Sequence, residues 1–108
     1  MRATALALAC LTLALPVAAQ ELDVPFRIAE DAQAAGCASS IVAGLDPNGD
    51  GFLAVRTGPG TGYRKIDQLY NGDMVRTCAR SGAWIGVHYG KPRRVGWVHG
   101  RWLVDGAG

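Results

Sequence analysis

The sequence predicts an all-β protein, a small barrel of five to six short strands behind an N-terminal extension. Three observations carry that expectation. Short alternating or β-branched apolar runs recur from Phe52 to Leu103. Clusters of Gly, Asn, Asp and Pro separate them at close spacing. Helical periodicity is almost absent beyond the first residues, and closing so few short strands into a barrel removes most exposed edges.

The first nineteen residues read as an export signal. Arg2 supplies a positive start, and Ala3 to Leu15 is a nearly pure Ala/Leu run, too short to span a bilayer with margin. Pro16-Val17-Ala18-Ala19 then offers the small residues of a cleavage site, placing the cut between Ala19 and Gln20. A retained anchor is the alternative, which the short run disfavours. Cys10 lacks the leucine three positions earlier that usually marks a lipidated cysteine.

Cleavage of 19 of the 108 residues leaves 89, enough for one domain with one modest core. The expected organisation is a signal peptide at 1–19, an extension with one strand at 20–45, a barrel at 46–104 and a flexible tail at 105–108. Charge is uneven: residues 20–45 carry −3 and residues 46–108 carry +4. That balance, with no basic run longer than two, excludes an argument for nucleic acid.

Cys37 and Cys78 remain after cleavage, an even pair in an exported chain, and read as one disulfide. It closes a loop of about 41 residues, worth about 4 kcal/mol on the chain-entropy account. The only histidines are His88 and His99, and there is no Cys-x-x-Cys, so neither a metal site nor a cofactor is expected.

Taken in order, Gln20 to Gly36 is an acidic, alanine-rich leader, expected to be mostly flexible or weakly helical. Cys37 to Leu45, with β-branched Ile41-Val42, reads as a strand. Asp46-Pro47-Asn48-Gly49-Asp50-Gly51 matches the first half of a calcium loop, but Thr57 stands where a bidentate Glu belongs. A tight turn is the better reading, with weak calcium binding left open.

Phe52 to Arg56 places Leu53 and Val55 on one face. The loop Thr57-Gly58-Pro59-Gly60-Thr61-Gly62-Tyr63 follows, its glycines expected to supply positive φ for chain reversal. Ile66 to Tyr70 offers Ile66 and Leu69 to the core, Asn71-Gly72-Asp73 turns, and Met74 to Ala79 puts Val75 and Thr77 on one face. Ser81-Gly82 turns again. In Ala83 to Tyr89, residues Ile85, Val87 and Tyr89 oppose Trp84, Gly86 and His88. Gly90 to Arg94 is a basic hairpin tip, Val95 to His99 a strand, and Gly100 to Leu103 a closing turn or strand. The tail from Asp105 is expected to fray.

Four pieces, in register, carry a family likeness. Leu53-Ala54-Val55-Arg56-Thr57-Gly58-Pro59-Gly60-Thr61-Gly62-Tyr63 resembles the opening motif of bacterial SH3 (SH3b) domains. Leu69 through Val75 resembles their apolar-turn-Gly-x-x-Val segment. Gly82-Ala83-Trp84-Ile85-Gly86-Val87 resembles their tryptophan strand, with one residue inserted between Gly and Trp. Gly96-Trp97-Val98-His99, then Trp102-Leu103, resembles the closing strand. The resemblance spans about residues 50–104. It implies an SH3-like barrel, and with it a periplasmic or secreted module that binds cell-wall peptides or serves interaction and targeting. Residues 20–49 fall outside it, and no catalytic domain is expected beside the barrel.

Catalysis has little support. Ser39, Ser40 and Ser81 lack any nucleophile motif, and the glycine loop has neither the spacing nor the following helix of a phosphate loop. Binding has more. Six of the eight aromatics, Trp84, Trp97, Trp102, Tyr63, Tyr70 and Tyr89, fall in the barrel stretch. Trp97 and Tyr89 are expected in the core and Trp102 at its end, leaving Trp84 and Tyr63 for exposure. By position in the resemblance, Arg56, Tyr63, Trp84 and His99 are the ligand contacts. Arg56 suits a bidentate grip on a carboxylate, as on a wall peptide; a salt bridge to Asp67 or Asp73 is the alternative. The partner is therefore a peptide or peptidoglycan stem, or a larger envelope protein docked through the acidic leader or a sheet edge. Neither nucleic acid nor a lasting membrane span is expected.

Overall fold

The computed structural model describes residues 21–27 and 37–106. The expected signal peptide, Gln20, residues 28–36 of the leader and the last two residues lie outside the described residues. Among the described residues, the one strand expected in the extension forms, β1 (Ala38–Val42), and six follow where five to six were expected: β2 (Leu53–Arg56), β3 (Lys65–Leu69), β4 (Met74–Ser81), β5 (Trp84–Tyr89), β6 (Arg94–His99) and β7 (Leu103–Asp105). A 3-10 turn, Gly100–Trp102, joins the last two. All pair antiparallel in one sheet of order β3-β2-β6-β5-β4-β1-β7.

The sheet coils around one core. Strands from both its ends meet there: Leu53, Val55 and Leu69 from β2 and β3 join Val42 from β1, with Val75, Ile85, Val87, Tyr89 and Val98 between them. The alternation of β5 explains its share. Ile85, Val87 and Tyr89 point inward and are buried, and successive side chains of a strand face opposite sides.

Two bulges adjust the pattern. Ile66 and Leu69 are three apart, a spacing that puts them on opposite faces of a regular strand. In the pairing of β2 with β3, Val55 faces Asp67 while Arg56 faces Lys65, so Ile66 is the extra residue. A bulge places both residues toward the partner's same side, and Ile66 packs against the core as Leu69 does. In β4 the register slips between Thr77 and Ala79, leaving Cys78 as the extra residue. Ala38 pairs with Thr77, which brings Cys37 to Cys78, and the expected disulfide forms with Cα atoms 4.2 Å apart.

The turns are satisfied locally. The Asp46 carboxylate accepts the Asn48 amide at 2.8 Å and the Asp46 carbonyl accepts Gly49 at 2.9 Å, so this stretch is the tight turn expected. The Asn71 side chain both accepts from and donates to the Leu45 backbone, at 3.0 Å each, as a strand neighbour would. Asp105 pairs with Ser40 and the Gly106 amide donates to Ser39 at 3.1 Å, so the tail expected to fray from Asp105 is held through Gly106. No helix among the described residues is long and apolar enough to cross a membrane.

Asp67 ties the far edge of the sheet to its middle. It accepts the Tyr89 hydroxyl at 2.7 Å and Arg94 Nη1 at 3.0 Å, so β3 is joined to β5 and β6. The Arg94 guanidinium also lies over the Tyr89 ring at 5.2 Å. Burial first, and then the hydrogen bond and charge of Asp67, hold the Tyr89 phenol far above its ordinary value near 10, with Arg94 opposing.

Two outcomes are expected. Replacing Cys37 and Cys78 together by Ser should lower unfolding free energy by about 4 kcal/mol in urea titration, the loop-closure entropy restored to the unfolded chain. The folded state keeps the Tyr89 proton while an unfolded chain releases it above about pH 10. Stability should therefore fall as pH rises past that value. Tyr89→Phe should lose about 1 kcal/mol at neutral pH and show a shallower alkaline loss in thermal melts.

Candidate functional site

The pairing of β5 with β6 sets out an outer face opposite the core. Trp84 faces His99, Gly86 faces Trp97 and His88 faces Val95. Because Ile85, Val87 and Val98 point inward, these residues lie on the outer face, five of them with side chains pointing out. β2 continues the face on one side, with Arg56 opposite Trp97. On the other side β4 adds Ala79 opposite Gly86 and Ser81 opposite Trp84.

Trp97 is buried, as expected, at 3 % exposure, yet it lies outside the main core cluster and on the outer face. The leader covers it. Trp97 Nε1 donates to the Val24 carbonyl at 2.7 Å, and the Phe26 ring meets the indole edge-on with centroids 5.3 Å apart. Phe26 stands in a slot floored by Gly86: a Cβ built there would lie 2.8 Å from the Phe26 ring and 3.1 Å from Ala79 Cβ. The leader, expected to be flexible or weakly helical, is over its described residues 21–27 a docked segment without regular structure, bent at Asp23 and Val24.

The glycine loop supplies the rest of the cradle. The Thr57 carbonyl accepts two leader amides, Asp23 at 2.9 Å and Val24 at 3.1 Å, and the Thr57 hydroxyl donates to the Asp23 carboxylate at 2.5 Å. A carbonyl oxygen has two lone pairs and serves both amides. The loop closes on itself: Thr57 N donates to Arg64 O, Gly60 N to Gly58 O and Tyr63 N to Gly60 O.

Its glycines act differently from expectation. None of Gly58, Gly60 and Gly62 has a positive φ. Gly58 is needed instead for close approach, since a Cβ there would fall 2.5 Å from the Tyr63 ring.

The four expected contacts fall into two pairs flanking this strip. Arg56 donates from Nη1 to the Tyr63 carbonyl at 3.0 Å, bracing the loop. Of the two carboxylates considered for it, Asp67 holds Tyr89 and Arg94, and Asp73 accepts the Tyr70 amide. Trp84 and His99 stack edge-on, 5.2 Å between centroids, and His99 Nδ1 accepts the Arg101 amide at 3.1 Å, capping the 3-10 turn. Trp97, Thr57 and Gly86 lie between the pairs, and sequence reasoning missed them. The parity of Val95, Trp97 and His99 against Val98 was the signal for Trp97.

Two further features lie apart from the strip. A cavity of about 710 Å³ opens among β1, β4, β7 and the 3-10 turn and includes only His99 of the four contacts. His88 stands beside the Cys37–Cys78 bridge, one ligand atom from each within 4.8 Å. With both sulfurs bonded to each other, neither is the thiolate that a metal site needs.

An antiparallel sheet coiled about one small core, with a long loop and an aromatic strand bordering its outer face, is an SH3-like barrel. A family model described as bacterial SH3 domain matches residues 51–104, half of the chain, and the chain belongs to that family. No curated protein sequence gives a significant match.

Gly58→Ala should displace Tyr63 and loosen the loop, costing about 1–3 kcal/mol as an overpacked contact does. Chemical denaturation checks the loss, and hydrogen exchange at the Thr57 and Tyr63 amides checks its location.

Proposed function

We propose that this chain is an exported, non-catalytic SH3b module that recognises a peptide, the peptidoglycan stem peptide being the class tested first. One observation carries the reading: the outer face, between the Arg56–Tyr63 loop and the Trp84–His99 pair, already holds a peptide segment of the chain itself. The same groups, a paired backbone acceptor, a hydroxyl facing a carboxylate and an aromatic slot, suit a short acidic peptide. The disulfide accords with an oxidising compartment. Residues 1–19 are assigned as the signal peptide, so the exported protein begins at Gln20, which N-terminal sequencing checks.

A second reading is an interaction subunit for a larger envelope protein. It rests on an apolar row across the sheet: Ile41 pairs with both Met74 and Val104, which are 61 % and 49 % exposed. Crosslinking in cells that recovers one dominant protein, without wall binding, would favour it.

The test is a pull-down on purified sacculi. Wild-type protein should be retained, and Trp84→Ala should weaken retention at least ten-fold, as loss of an aromatic anchor does. Equal retention of both proteins, or of neither, removes the wall-peptide reading.

A further inference from the structure

We infer that residues Asp23–Phe26 are a self-ligand: they fill in cis a site built to take, in trans, a peptide carrying a carboxylate and, two to three residues on, a Pro-aromatic pair. The inference rests on the peptide-binding reading above and names the site's occupant and its regulation.

The segment touches the barrel as a ligand does, not as an element of its core. No residue of 21–27 belongs to the core cluster. Its side chains alternate, with Asp23 and Pro25 exposed and Val24 and Phe26 half-buried. Its hydrogen bonds with described residues run to the outer face or the glycine loop: two amides donate to the Thr57 carbonyl, one carboxylate oxygen accepts from the Thr57 hydroxyl, and one carbonyl accepts from the Trp97 indole. Each contact reads one feature. The Thr57 hydroxyl, with Thr57 itself 1 % exposed, selects an acceptor at the Asp23 position. The Gly86 floor, between Ala79 and Trp97, selects a flat ring at the Phe26 position. Pro25 fixes its own φ between them, which lowers the ordering cost. The segment also lies outside the stretch that the family model matches.

A segment held on the same chain competes at an effective concentration of about millimolar. It therefore weakens a trans peptide of Kd near 100 µM by about ten-fold, a threshold that only a matching or clustered ligand overcomes.

The probe is a labelled synthetic peptide with the sequence of Glu21–Arg27, added to the full disulfide-bonded chain. Wild type should bind it weakly. Asp23→Ala/Phe26→Ala, which empties the site, should bind at least ten-fold tighter, and adding Gly86→Ala or Thr57→Val to that variant should abolish the gain. Near-ultraviolet circular dichroism confirms that each variant is folded. A measurement without variants backs this up. Millimolar unlabelled peptide added to wild type should strip exchange protection from the Asp23 and Val24 amides while the Trp97 indole stays protected.

Concentration-dependent dimers that the free peptide dissolves would support the inference, a second copy's leader being a ligand of the same chemistry. Equal affinity of wild type and the emptied variant, or unmoved protection, overturns it. Sacculus retention measured in parallel separates the two claims. A folded, emptied variant that binds sacculi but not the peptide overturns the self-ligand alone, and one that binds neither overturns both.

Discussion

A strand in a sheet coiled around a core this small has one buried face, and whatever stands on the other must be met by something else. Trp97 is the residue on which that constraint bears hardest. Its neighbours Gly96 and Val98 face inward, so its own ring faces out. An indole left there would expose a large apolar surface and an N–H needing an acceptor. Val24 provides the acceptor and Phe26 the cover. The other local choices follow from this. Gly86 lacks a side chain because Phe26 occupies that volume. The Thr57 carbonyl is turned outward because the glycine loop satisfies its own amides internally.

The constraint also joins the family fold to what is individual in this chain. The barrel proper needs only the core and its turns. The disulfide and the leader both begin before the stretch shared with the family. Cys37 secures β1, and β1 in turn holds β7, so closure at that end depends on a residue the barrel pattern does not include.

Much of this was legible in the residues. The alternation of Ile85, Val87 and Tyr89 gave the core face of β5, and the parity of cysteines gave the bridge. Asn-Gly-Asp and Asp-Pro-Asn-Gly marked turns that the structure contains. Other features were hidden for physical reasons. A bulge has no composition of its own, so only the awkward three-residue spacing of Ile66 and Leu69 hinted at it. Loop glycines are chosen for backbone freedom or for missing volume, and the letter is the same. Gly58 proved to be the second kind, which depends on the ring of Tyr63, five residues on, whose position sequence alone cannot place. The burial of Trp97 was legible, but the face it is buried on was not, because hydrophobicity outweighed parity. The leader was read as loose because a short segment held by a carbonyl, a hydroxyl and an indole of other strands carries no periodic signature.

The sheet's two edges carry one more consequence. β7 has three residues and ends on Asp105, while β3 begins at Lys65 and bears Asp67. A short strand and a charged strand are poor templates for an added chain. Crowding many copies together, as at a cell surface or in a concentrated stock, should therefore not extend the sheet into fibres. Contacts between neighbouring copies are directed to faces, where side-chain chemistry discriminates, and away from the backbone, which pairs with any sequence.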